Sequence, residues 1–141
     1  MDHNLELVKE VYHDAELCKD VLNTLIKITD DANFRTSLAD EYAQYHEIMC
    51  SADSVCCEYG YPVKTDKSCK KKIFSGIAIS AKIDKTPSHL AEMVIQGSTM
   101  GIIDIKRAIR EYQCADEKVK RLASKLLETE INNVYKMLEY V

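Results

Sequence analysis

The sequence predicts an all-α protein built from four long helices, with one extended connection between the second and the third. Only four Gly and two Pro occur in 141 residues, and so few turn-formers over that length mean few, long elements. Apolar residues recur at three- and four-residue spacing through four separate stretches, where a half-buried strand would alternate. The length suits a single domain, 1–141, around one core.

The first helix is expected over Asn4–Thr29, where Leu7, Val8, Val11, Ala15, Cys18, Leu22, Leu25 and Ile26 share a face. The turn TDDAN at 29–33 offers Asp30, Asp31 or Asn33 as N-caps for a second helix over Ala32–Tyr59. Its stripe is Phe34, Leu38, Tyr45, Ile48, Ala52, Val55 and Tyr59, and Gly60 followed by Pro62 ends it. A shorter helix is expected over Asp66–Ile83. Thr86 can cap a third helix that holds Pro87 in its first turn and runs to about Tyr112. Asp116 is placed to cap the fourth, which ends near Tyr140.

Short turns join helices 1 and 2 and helices 3 and 4, which makes each pair antiparallel. A helix of 26 residues is about 39 Å long, and Gly60–Thr86 is long enough to travel that far. Helices 2 and 3 are then parallel, and the expected layout is a ferritin-like four-helix bundle with a helical crossover between helices 2 and 3; the competing up-down-up-down bundle would leave the short helix as a surface flap. The third helix is the most apolar, and its GSTMG places Gly97 and Gly101 one turn apart, a spacing that lets a neighbouring backbone approach closely.

Composition narrows the function classes. The net charge is −4, from 19 basic and 23 acidic residues, and the one basic run, Cys69–Lys72, reads as a solvated surface. No nucleic-acid partner is expected. No window approaches the run of about 18 apolar residues that a membrane span needs, and the opening MDHNLELVKE has no apolar run of the signal-peptide kind. The expectation is a cytoplasmic protein with no membrane partner. Cys18, Cys50, Cys56, Cys57, Cys69 and Cys114 form no C-x-x-C and no zinc-finger spacing. They are read as reduced thiols, with Cys18 and Cys56 on apolar faces.

Two carboxylates intrude on apolar faces. At 100° per residue, Glu130 in LLETEINNVY lies within ~20° of the centre of its apolar arc, and Glu41 within ~30° of its own. A buried carboxylate is costly unless paired, protonated or metal-bound. Di-metal bundles use one Glu from each of two helices and Glu-x-x-His from each of the others. Here Glu41-x-x-Gln44 and Glu130-x-x-Asn133 occupy the corresponding helices with amides in place of histidines. Asp14 lies inside the first helix's arc but off to one side, and Asp104 on the edge of the third's. By helix length Glu41 stands opposite Leu22 and not Asp14. The competing reading has Glu41 and Glu130 hydrogen-bonded to core tyrosines or amides, or to each other through a shared proton, with Tyr12, Tyr45 and Tyr112 facing inward.

The helices, the crossover, and above all SHLAEMVIQGSTMGIIDI (88–105) with LLETEINNVY (126–135) resemble an uncharacterised bacterial family of ferritin-like proteins about 140 residues long. The resemblance covers nearly the whole chain and is most specific at Ile95–Gly101. It implies the fold and carries almost no chemistry, because fold does not convey function.

The sequence thus leads to a non-enzymatic scaffold or interaction protein, self-associating as a homodimer through apolar helix faces, with no cofactor. The alternative is a metal-binding protein with a degenerate iron or manganese site drawn from Glu41, Glu130, Asp14, Gln44, Asn133 and Asp104. A third reading, a binder of hydrophobic ligands, needs a cavity lined by residues such as Met93, Met100 and Met137.

Overall fold

The computed structural model describes residues 1–62, 77 and 80–141, and the regular structure among them is helical. The long helices are α1 (His3–Ile28), α2 (Ala32–Tyr59), α3 (Pro87–Glu111) and α4 (Glu117–Leu138). The short helix expected over Asp66–Ile83 lies outside the described residues, except that Ile77 and residues 80–83 are helical. The Cys69–Lys72 run lies outside them too.

Local chemistry sets the helix ends. Asp2 accepts hydrogen bonds from the backbone N–H groups of Asn4 and Leu5, Asp31 from Phe34, and Thr86 from His89. Each satisfies donors that a helix start leaves open. Gly60 ends α2 with φ of 72°, the left-handed conformation that a residue without Cβ adopts freely. Asp116 occupies the N-cap of α4, but its side chain makes no capping bond. Its carboxylate accepts instead from the Tyr59 hydroxyl, at 2.8 Å.

Contacts at the helix ends fix the directions. The Tyr61 hydroxyl donates to Asp2, the Asp116 N–H donates to Asn4, and the His3 ring packs edge-on against Tyr112. The start of α1, the end of α2, the end of α3 and the start of α4 therefore share one end of the molecule. At the other end Phe34 packs on Tyr140. So α1 and α4 run one way, and α2 and α3 the other. α1 packs on α2, α3 and α4, and α4 packs on α2 and α3. The α1–α4 pair thus forms the centre, flanked by α2 and α3.

The core follows seams with spacings of three and four residues. In α2 it is Phe34, Leu38, Glu41, Tyr45, Ile48, Ala52 and Val55; in α4 it is Val119, Leu122, Leu126, Glu130, Asn133 and Met137. The seam of α3 passes Val94, Ser98, Gly101 and Ile105, and that of α1 passes Val11, Ala15, Cys18 and Leu22. Every seam is apolar near its ends and carries small or polar residues towards its middle. A polar layer therefore crosses an otherwise apolar interior. No helix among the described residues is long and apolar enough to cross a membrane.

Candidate metal centre

The polar layer concentrates where α1 meets α4. Asp14 and Cys18, four residues apart, project from one face of α1, and Glu130 comes from α4 to meet them. Their ligand-capable atoms, two carboxylate oxygens and one sulfur, lie within 4.8 Å of one another. The Cys18 thiol donates to Asp14 Oδ1 at 4.0 Å.

Gly101 on α3 makes the room. A Cβ there would stand 2.3 Å from Glu130 Oε2 and 2.8 Å from Asp14 Oδ1. The glycine pair expected to admit a neighbouring backbone does something else. Gly101 admits two carboxylates, and Gly97 has open space where its side chain would be, with nothing within 4 Å. Gly97 borders a pocket of ≈ 390 Å³ whose wall includes Asp14, Cys18, Glu41, Tyr45, Ser98, Gly101 and Asp104.

The layer is rich in acceptors and poor in donors. Glu41 and Glu130 are fully buried, and apart from the proton that Glu130 shares with Asp14 neither carboxyl group meets a donor among the described residues. Asp14 Oδ2 and Asn133 Oδ1 are in the same state. Asn133 does donate through Nδ2 to the Tyr45 hydroxyl, at 3.3 Å. The expected hydrogen bonds from tyrosines or amides to Glu41 and Glu130 are therefore not formed. Tyr45 is inward, but its hydroxyl accepts from Asn133 and hydrogen-bonds the Cys18 sulfur, while Tyr12 and Tyr112 are only partly buried.

Burial dominates the ionisation. It raises Glu130 far above the usual carboxylate range, and the adjacent Asp14 raises it further. Asp14 is itself raised by burial. Two carboxyl groups this close in a dry setting hold a proton between them. Burial pushes Glu41 up to about 8, with the positive charge of Lys136 opposing the shift. The Cys18 thiol goes up through burial and the neighbouring acids.

Of the six residues expected at a metal site, the structure brings Asp14 and Glu130 together. Helix geometry had set Asp14 aside and matched Glu41 to Leu22. In the fold Asp14, Leu22 and Glu41 all border one pocket, because it extends along α1. Glu41 lies outside the three-atom cluster. Gln44 is half-buried and outside the pocket wall. Asn133 is buried and donates to Tyr45 through Nδ2. Asp104 sits at the pocket wall with a half-exposed side chain, 3.9 Å from Arg107. Cys18 was read as a core residue and is the missed member. The i, i+4 spacing of Asp14 and Cys18 was its visible signal.

No family model, curated protein or solved structure matches the chain.

Proposed function

We propose that the protein binds a divalent transition-metal ion through Asp14, Cys18 and Glu130, inside a ferritin-like four-helix bundle. One observation carries the reading: buried carboxyl groups from two helices converge beside a thiol, and the proton they share and the thiol's own proton are the donors their oxygens meet among the described residues. One shared proton and one thiol donor leave several of these acceptors open, which is costly when they are buried, and a cation bound in place of those protons would satisfy them at once. Metal–ligand bonds of about 2.0–2.3 Å let atoms on a common ion stand about twice that distance apart, close to the span found here. The thiol moves the preference from Mn²⁺ towards Zn²⁺ or Fe²⁺. The directions of α2 and α3 support the crossover: Tyr61 lies beside Asp2 at one end, while α3 starts at the other.

Binding must displace the proton shared by Asp14 and Glu130 and the proton of the Cys18 thiol, so affinity rises with pH. The test is equilibrium dialysis of the full chain against Zn²⁺ and, anaerobically, Fe²⁺, with Co²⁺ as a spectroscopic reporter. Retained metal is expected in the parent and lost in Asp14→Asn/Glu130→Gln. A thiolate-to-cobalt charge-transfer band should be present in the parent and absent in Cys18→Ser. No metal retained by the parent, or equal retention in the double variant, would overturn the reading.

Self-association has its own support. Ile131, Tyr135 and Leu138, at i, i+4 and i+7 along α4, are large, apolar and exposed, as is Ile103 on α3, and an exposed apolar helix face favours a protein interface. Sedimentation of the parent and of Ile131→Lys/Tyr135→Lys tests it. A dimer that dissociates in the variant supports a self-associating scaffold, and a monomeric parent removes it.

A further inference from the structure

We infer that the pocket beside the acid cluster binds a small organic cation, an aliphatic ammonium whose charge is met by Glu41 and whose apolar body lies against α1 and α3. This does not rest on the metal reading, because Glu41 lies outside the Asp14–Cys18–Glu130 cluster.

Size, shape and charge each contribute. The pocket holds ≈ 390 Å³, within the range of about 300–1,000 Å³ typical of small-molecule sites. Its wall is mostly aliphatic, with Leu17 and Val21 from α1 and Met93 and Val94 from α3. Gly97, itself exposed, leaves the rim of the pocket open. Against that wall stand Glu41 and Asp104, with Asp14 beside them sharing a proton with Glu130, and no Lys, Arg or His among the described residues. The pocket therefore selects for positive charge and repels anions. Glu41 is 1% exposed, borders the pocket, and has two oxygens without a donor. A ligand ammonium would supply the missing donors and hold Glu41 ionised against its burial. The methionines add an adaptable surface for an aliphatic chain.

The test is calorimetric titration of the metal-free full chain with n-hexylamine, n-hexanol and hexanoate, which share an apolar body and differ in charge. Saturable binding of n-hexylamine is expected, with n-hexanol about tenfold or more weaker and no heat from hexanoate. Glu41→Gln should weaken n-hexylamine by a similar factor while keeping its Zn²⁺. Gly97→Leu, whose side chain would stand at that rim, should weaken amine binding in a chain that still folds. Equal affinity for n-hexylamine and n-hexanol, unchanged affinity in Glu41→Gln, or no saturable binding to the parent overturns the inference. Zn²⁺ retention without amine binding removes this inference alone, and amine binding without Zn²⁺ retention removes the metal reading alone.

Discussion

Glu41 shows how a single residue couples the interior to pH. In the folded chain it keeps its proton up to about 8, against 4.5 for a free glutamate side chain. Between those values the folded state binds more protons than the unfolded one, so stability falls as pH rises, by about 1.4 kcal/mol per pH unit. The contribution is complete below the unfolded value and is lost as pH rises through the folded one. Gln has no proton to lose, so Glu41→Gln should gain Tm relative to the parent as pH goes from about 5 to about 9. Melts whose difference stays constant across that range would show that Glu41 ionises in the fold without penalty. Tyr45 is a second case. Its hydroxyl receives the buried Asn133 amide, and Tyr45→Phe strands that donor, at a cost of about 1–3 kcal/mol in urea unfolding.

At the level of the helix, Gly97 and Gly101 make opposite predictions although they are one turn apart in α3. Gly inside a helix is destabilising by roughly 0.5–1 kcal/mol relative to Ala. Gly97→Ala adds a methyl to open space and should recover that amount in thermal unfolding. Gly101→Ala drives a methyl into Glu130 and Asp14, and overpacking of that kind costs about 1–3 kcal/mol. It should be neutral to destabilising, and metal retention should drop even if the carboxylates turn aside to relieve the contact. Equal melting shifts with metal kept in both variants would mean that Gly101 does not shape the acid cluster.

For the whole molecule, the metal reading predicts a change in stability by linkage. Free ion at a hundredfold excess over its Kd stabilises the fold by about 2.7 kcal/mol. That corresponds to several degrees in Tm for a chain of this size, absent in Asp14→Asn/Glu130→Gln and reversed by a chelator. Surface electrostatics between helices should matter little by comparison. The exposed Lys118–Glu58 and Lys125–Glu47 pairs join α4 to α2, and such pairs contribute about 0–1 kcal/mol each. Added salt should leave Tm almost unchanged.

The helices were legible because their causes are local. Period, caps and the Gly60 stop lie within a few residues of the backbone they control, so the sequence placed α1 to α4 within about two residues of their ends. The intruding acids were legible too, since Glu41 and Glu130 break a repeat that can be read along one helix. What they meet was not legible, because partnership across helices depends on rotation and axial shift, which no single helix encodes. Only the tertiary structure joined Glu130 to Asp14 and Cys18, left Glu41 at the pocket wall, and gave the Tyr45 hydroxyl to Asn133. The glycines follow the same division. Their spacing was visible in the sequence, but whether each faced backbone, carboxylate or open space was decided by the packing of α3 against α1 and α4.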